Sequence, residues 1–436
     1  MTSKDKHQDT IADLSQRSTW RLTRPEIETL QLDRLNNVLA SVVNHPLYRE
    51  RFSDVALPLQ SLDDLSQIRP LNKSELVVDK PGEPGRLFAL PRHHYSRMHQ
   101  TSGTSGHPMP VLDTAQDWRW WTDCWQHVLD AAEVTDHDVA MMAFSFGPFI
   151  GFWTANDALV RRGAMVIPGG GISSETRLRM IIDHRCTIVC CTPTYALHLA
   201  SMADQCGIDL PASDVRCLIV AGEPGGSIPA IRERMETAWG ATVIDHAGAS
   251  ELGAWGFGTD DGAGLHVIET EFIGEVLRFD EASCDGVPVA DGDAGELVLT
   301  GLGRMGGPAI RYRTGDIVHG VRDHNRECRF LFLPGGVHGR ADDMIVVRGV
   351  NVFPSSIEAI VREIDGSVEY RALIDRIGEM DSMRLEAELS ESQARELAEL
   401  LQKRLAMRVD VTPVPLESLP RFQAKSRRWI DRRGGA

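Results

Sequence analysis

Between residues 115 and 250, helical stretches alternate with short apolar runs rich in β-branched residues: Val139–Phe144, Ala164–Ile167, Thr187–Cys191, Cys217–Ala221 and Thr242–Ile244. Short strands separated by helix-length connections pair most readily through crossovers, so this alternation predicts βαβ units around a mostly parallel sheet. After Gly264 the texture changes to period two, as in Glu296-Leu297-Val298-Leu299-Thr300, with Asp-Gly turns at 285–286 and 291–292. Antiparallel strands are expected there. From about residue 340 come a strand-like Met344–Arg348, a helix opening at Pro354-Ser355-Ser356-Ile357-Glu358 and a second helix across 391–405, the size of a small α+β domain.

The chain has 436 residues, more than one compact core usually holds. Gly335-Gly336 and Gly339 punctuate it near His338–Asp343, so we expect a large N-terminal domain over 1–338 and a small C-terminal domain over 339–436. The fold class expected is α/β, with mostly parallel sheets flanked by helices and a β-rich subdomain in the large part. Residues 25–52 read as an amphipathic packing helix, carrying Leu30, Leu32, Leu35, Val38, Leu39 and Val42 before His45-Pro46 breaks the pattern.

A formal charge of −16 argues against non-specific binding to nucleic acid or anionic membranes, so an anionic ligand would need local cations. The polar start MTSKDKHQDT has no signal-peptide core, and no run approaches the length of a membrane span, so a cytoplasmic location is expected. The eight cysteines show no C-x-x-C spacing and read as mostly buried thiols.

In Thr101-Ser102-Gly103-Thr104-Ser105-Gly106, hydroxyl groups and glycines are dense enough for backbone N–H and side-chain O–H groups to surround phosphate oxygens. The segment lacks the G-x-x-x-x-G-K-[ST] pattern of P-loop NTPases, and taken alone it reads more readily as a plain surface turn. Its company is more specific. HAGASELG (246–253), RYRTGD (311–316), GRADDMIVVRGVNVFPSSIE (339–358) and LPRFQAKSRRW (419–429) follow in order. With these segments the chain resembles the adenylate-forming superfamily (acyl-CoA synthetases, NRPS adenylation domains and luciferases), and within it the phenylacetate–CoA ligase branch, from HPLYRERF (45–52) to the C-terminus.

The resemblance implies an ATP-dependent activation of an aromatic, phenylacetate- or benzoate-like acid to an acyl-AMP, followed by transfer to coenzyme A. Glu251 is then the magnesium ligand, Asp316 the ribose acceptor, Arg340 a nucleotide contact and Lys425 the catalytic lysine. Chemistry agrees: magnesium takes carboxylate oxygens, and a cation bridging two meeting anions offsets their charge. The nucleotide site would further include Gly222, Glu223, Pro224, Asp245, His246, Ala247, Gly248 and Ser250. The small domain would rotate about Asp342, withdraw Lys425 and present Gly349, Val350 and Asn351 to coenzyme A. In FSFGPFIGFW, Phe144, Phe146, Phe149 and Phe152 are suited to lining a slot for a flat acyl group, bordered by Gly169, Gly170 and Ala221; each ring is equally suited to core packing.

The pattern departs from the branch in three places. His107 stands where relatives usually carry lysine, and Ala247 replaces the aromatic beside adenine, leaving His246 as the neighbouring ring. Many relatives carry a Cys/His cluster, of which His266 and Cys328 remain; Cys284 is the other cysteine in that region, and structural zinc is not expected. Small-molecule partners, a homodimer, and no nucleic acid or membrane partner complete the expectation. Two other readings stand beside it: the same adenylation followed by transfer to an amine or a carrier-protein thiol, and a catalytically reduced nucleotide-binding protein.

Overall fold

The computed structural model describes residues 11–433 apart from 79, 81, 102–107, 149, 281–282, 324–325, 342–344, 348–349, 353, 367, 378–379, 406 and 421–427. After a short helix, α1 (Ile11–Leu14), comes α2 (Arg24–Val42), which opens on a capping box: Glu26 Oε2 accepts from the Thr23 N–H at 2.7 Å. It ends three residues before His45, where the chain turns instead of continuing helically towards 52. Helix α3 (Lys73–Leu76) precedes the hairpin β1 (Tyr95–Gln100) and β2 (Pro110–Thr114). Then follow α4 (Ala115–Ala131), β3 (Val139–Met142), α5 (Trp153–Arg162), β4 (Met165–Pro168), α6 (Ser174–Asp183), β5 (Ile188–Cys191), α7 (Pro193–Cys206), β6 (Cys217–Ala221), α8 (Pro229–Trp239) and β7 (Thr242–Ala249).

Strands β3 to β7 are joined through these helices and pair in parallel, the crossover arrangement expected from the alternating sequence. With β8 (Gly253–Gly258), β9 (Gly264–Val267) and a later strand β14 (Phe332–Pro334) added antiparallel, the sheet has eight strands in the order β14-β9-β8-β7-β6-β5-β3-β4. Side chains alternate between two apolar clusters: Ile188, Cys190, Cys217 and Ile219 face one, while Val189, Cys191, Leu218 and Val220 face the other. Both faces are covered by helices, which is why these strands carry continuous apolar runs rather than a polar alternation.

The period-two region forms β10 (Phe272–Asp280), β11 (Ser283–Pro288), β12 (Ala294–Gly301), β13 (Tyr312–His319) and β15 (Gly339–Arg340), an antiparallel five-stranded sheet in the order β11-β10-β12-β13-β15. Towards the C-terminus, β16 (Ile345–Val347) and β17 (Val350–Val352) pair as a small ladder, and α9 (Pro354–Ile364) follows. The last sheet contains β18 (Tyr370–Ile377), β19 (Met380–Ala387), β20 (Asp410–Pro413) and β21 (Trp429–Asp431), with α10 (Glu391–Leu405) between β19 and β20. This part buries its own apolar cluster, including Ile357, Val361, Leu385, Leu397 and Leu401. Arg234 of α8 reaches across to it and donates to the Gly366 carbonyl at 2.6 Å. Among the described residues no helix is long and apolar enough to cross a membrane.

Candidate active site

The segment read as a phosphate cradle lies in the chain between the paired strands β1 and β2. Gln100 lies opposite Pro110, and beyond them the Thr101 N–H donates to the Met109 carbonyl at 3.0 Å while Thr101 Oγ1 accepts from the Met109 N–H at 3.1 Å. These bonds extend the pairing of the two strands to Thr101 and Met109; Ser102, Gly103, Thr104, Ser105, Gly106 and His107 lie outside the described residues. The Gln100 N–H also donates to the Pro148 carbonyl at 2.8 Å, which fastens this hairpin to the aromatic segment.

Ligands of open parallel sheets bind beyond the carboxyl ends of the strands, and several assigned residues gather there. Ala221 ends β6 opposite His246 of β7. Gly222 then turns the chain at φ +93°, a conformation that favours glycine. Pro224 follows Glu223, whose Oε1 accepts the Thr194 N–H at 2.7 Å in the first turn of α7. Asp245 Oδ2 accepts from Ser227 Oγ at 2.6 Å, and burial pushes its carboxyl up to about 6. His246 has Nδ1 2.8 Å from the Gly256 carbonyl and its ring 4.3 Å from that of Trp125, and burial pushes its imidazole down to about 4. Ala247 and Gly248 flank a β-bulge against β8, where a Cβ on Gly248 would come 3.0 Å from the Gly253 carbonyl oxygen.

Glu251 follows β7 and is only 4% exposed. Lys73 Nζ, at the start of α3, lies 2.9 Å from Glu251 Oε1 and pairs with it by charge, while among the described residues that buried oxygen accepts no hydrogen bond. The carbonyl of the preceding Ser250 accepts from Arg304 Nη1 at 2.7 Å. Arg304 is 1% exposed, lies 2.7 Å from Asp113 Oδ1 of β2 and stacks beside Phe88 and Trp121 at 5.4 and 5.0 Å. One guanidinium therefore links β2 to the residue before Glu251.

The antiparallel register sets Asp316 of β13 opposite Arg340 of β15, with Arg340 Nη1 at 2.9 Å from Asp316 Oδ1. Burial pushes the Asp316 carboxyl up to about 6 although Arg340 pulls the other way, and the Asp316 N–H donates to Thr314 Oγ1 at 3.0 Å. The side chain nevertheless keeps a 16% exposed surface, enough for an approaching hydroxyl to meet it.

Phe144, Phe146 and Phe152 form a continuous chain of rings: Phe152 to Phe144 at 5.0 Å, Phe144 to Phe146 at 4.6 Å, and Phe146 to Trp153 at 4.6 Å. Phe152 also meets Trp125 at 6.1 Å, so the chain reaches His246. Gly170 abuts it, since a Cβ there would lie 3.0 Å from Phe146 Cδ2, and the neighbouring Gly169 carbonyl accepts from Arg177 Nε at 2.7 Å. Phe149 lies outside the described residues.

Asp342, Gly349 and Lys425 also lie outside them, and of Val350 and Asn351 the backbone alone is described, within β17. Both flanks of the Lys425 segment are held to the C-terminal sheet: the Leu419 N–H donates to Glu388 Oε1 at 2.9 Å, and the Arg428 carbonyl accepts from the Ala372 N–H at 2.7 Å. His266 is buried between Phe257 and Phe332 at 5.6 and 4.9 Å, and Cys328 is buried with its thiol pushed up by burial. Among the described residues no three His, Cys, Asp or Glu side chains cluster as metal ligands. Sequence reasoning missed Lys73, Arg304 and Trp125. None carries a local motif, and each acts at a partner distant in the chain; the sole signal was the need for cations in a strongly acidic protein.

The profile of the AMP-binding enzyme family matches residues 56–307, and that of the AMP-binding enzyme C-terminal domain matches residues 349–433. The chain is 31% identical to phenylacetate-coenzyme A ligase of Escherichia coli strain K12 over 427 residues, covering 94% of this chain and 95% of that one. It is 32% identical to the enzyme of the same name from Pseudomonas putida over 369 residues, covering 82% and 81%. Among solved structures, 2-hydroxyisobutyryl-CoA ligase in its postadenylation state with 2-HIB-AMP superposes with a TM-score of 0.84 at 28% identity, covering 94% of this chain and 90% of that one. In its thioesterification state, with 2-HIB-AMP and CoA, the TM-score is 0.69 at 28% identity, over 95% and 91%.

Proposed function

The chain belongs to the AMP-binding enzyme family, and from that premise we propose that it is an AMP-forming acid–CoA ligase acting on an aromatic acid. Likeness to phenylacetate-coenzyme A ligases along nearly the whole chain carries this reading, and the juxtaposed Asp316 and Arg340 support it. In the first step a carboxylate oxygen attacks the α-phosphorus of ATP, and the bond to pyrophosphate breaks. In the second, the coenzyme A thiolate attacks the acyl carbonyl, and the carbon–oxygen bond to AMP breaks.

Asp316 accepts the ribose hydroxyls in this scheme, with Arg340 beside it lowering the cost of its buried charge. The residues from Thr101 to Gly106 surround the phosphates in this scheme, with the Thr101–Met109 bonds anchoring the start of the segment. Gly222, Glu223 and Pro224, with Asp245, Ala247 and Gly248, border the nucleotide. The ring chain of Phe144, Phe146 and Phe152, with Phe149, Gly169, Gly170 and Ala221, receives the flat acyl part.

Glu251 suits a magnesium ion: it is a buried carboxylate whose Oε1, paired with Lys73 by charge, takes no hydrogen bond from the described residues. When bound, the ion supplies charge neutralisation between the carboxylate nucleophile and the phosphates. Lys73 Nζ, 2.9 Å from Glu251 Oε1, orients the carboxylate and supplies a cation beside it. Ser250 is fixed through Arg304, which sets the approach of Glu251.

Lys425 bridges the acid and the α-phosphate during adenylation. Rotation about Asp342 then withdraws it and brings Gly349, Val350 and Asn351 to the thiol. That 2-hydroxyisobutyryl-CoA ligase is solved in both a postadenylation and a thioesterification state supports two such arrangements. The experiment is Lys425→Ala, assayed in both half-reactions: acid-dependent exchange of pyrophosphate into ATP should fall by at least about 100-fold, while thiolysis of supplied acyl-AMP stays near the unaltered rate. Equal loss of both would refute the two-state scheme.

A further inference from the structure

His246 is a polar side chain on an apolar sheet face, 8% exposed. Its Nδ1 sits 2.8 Å from the Gly256 carbonyl, and since a carbonyl can only accept, Nδ1 carries the hydrogen. Burial keeps the ring neutral at physiological pH. The tautomer is therefore fixed, and Nε2 presents a lone pair. That lone pair has no hydrogen-bond partner among the described residues, yet Nε2 is not one of the fully enclosed polar atoms. It borders the notch at Gly248, where a Cβ would lie 3.4 Å away.

Trp125 packs against the same ring at 4.3 Å, and its indole Nε1 is buried with no acceptor among the described residues. Two packed rings, one with an unpaired acceptor and one with an unpaired donor, thus meet where the phenylalanine rings reach β7. The buried indole N–H costs about 1–3 kcal/mol if left unpaired, and beside an open lone pair it signals a missing partner. Ring edges alone would have been served by an apolar residue at either position. A hydroxyl donates one hydrogen and accepts another, and so matches this pair in both senses.

We propose that the aromatic acid activated by this chain carries a hydroxyl on its acyl part, which donates to His246 Nε2 and accepts from Trp125 Nε1. This rests on the acid–CoA ligase function above and deepens it: it moves His246 from the adenine side, where the sequence alone places it, to the acyl side. Phe152 and Phe144 then hold the ring face while the histidine and tryptophan read its substituent. A site built to bond a hydroxyl disfavours the acid that lacks it, because the two buried polar atoms lose their partner.

The test compares kcat/KM for coenzyme A-dependent AMP formation with phenylacetate, its 2-, 3- and 4-hydroxy derivatives and 4-methylphenylacetate, in the unaltered protein and in His246→Phe and Trp125→Phe. Taking ratios within one protein cancels any difference in folded fraction. At least one hydroxylated acid should exceed both phenylacetate and the methyl control by about tenfold or more, and each variant should bring that ratio towards one. A methyl group serving as well as the hydroxyl, or a ratio that survives in both variants, would overturn the assignment. Absence of AMP formation and of pyrophosphate exchange with every acid would instead overturn the ligase function, and this proposal with it.

Discussion

Replacing Arg304 by methionine should damage stability and adenylation together, for a reason the structure makes quantitative. Arg304 and Asp113 are 1% and 0% exposed, and their charged atoms lie 2.7 Å apart. Removing the cation leaves Asp113 in a site where burial already pushes its carboxyl upward and Arg304 is the main influence holding it down. Breaking such a pair from one side typically costs about 3–5 kcal/mol. Adding Asp113→Asn removes the stranded charge, so the double variant should be about 1–3 kcal/mol more stable than the sum of the single effects. Urea unfolding followed by tryptophan fluorescence reads this out, since Trp121 stacks on Arg304. The Ser250 carbonyl also loses its donor, and a displaced Glu251 should slow pyrophosphate exchange by about 10- to 100-fold, with a smaller effect on thiolysis of supplied acyl-AMP. A loss under about 1 kcal/mol, additive single variants, or equal slowing of both half-reactions would refute the reasoning.

The Asp316 carboxyl, pushed up to about 6, should lose its charge as pH falls through that value, so the affinity advantage of the unaltered protein over Asp316→Asn for AMP should shrink between pH 7.5 and 5. Taking the ratio cancels the titration of AMP itself, and a ratio constant with pH would contradict the assignment. His127 accepts from Trp20 Nε1 at 2.9 Å, and burial pushes it down to about 3. The folded state therefore excludes a proton that the unfolded chain takes up near pH 6.5, so the histidine's stabilisation is complete above that pH and lost progressively below it. Between pH 6.5 and 4, unfolding free energy should decline less steeply in His127→Phe, by up to about 1.4 kcal/mol per pH unit; parallel profiles would refute this.

The parallel core was legible because burial on both faces writes itself into the sequence, as in Ile188–Cys191, where all four residues are buried. Strand β7 was legible only to Ile244. Its continuation to Ala249 is made of small and polar residues whose strand geometry comes from pairing with Ala221 and β8, a tertiary cause without local periodicity. The helix read to residue 52 stops at Val42 because the bonds of 45–55 form local turns beneath which Tyr48 and Phe52 are buried. Asp316 and Arg340 could be named from their motifs, but a two-residue strand such as β15 has no pattern that reveals their adjacency. Lys73 and Arg304 were invisible for a related reason: their partners, Glu251, Asp113 and Ser250, are brought to them only by the fold. The tautomer of His246 likewise depends on Gly256 of the next strand.

The central claim is chemical: an aromatic acid is activated on ATP and handed to coenzyme A. The most direct test follows AMP and acyl-thioester together in the full chain, with magnesium and ATP, across aromatic and aliphatic acids and with and without coenzyme A. The account predicts acid-dependent pyrophosphate exchange without the thiol, then equimolar AMP and aryl-CoA once coenzyme A is added, with aromatic acids preferred. Nucleotide binding without acid-dependent exchange, or AMP release to an amine or carrier-protein thiol while coenzyme A stays inert, would contradict it.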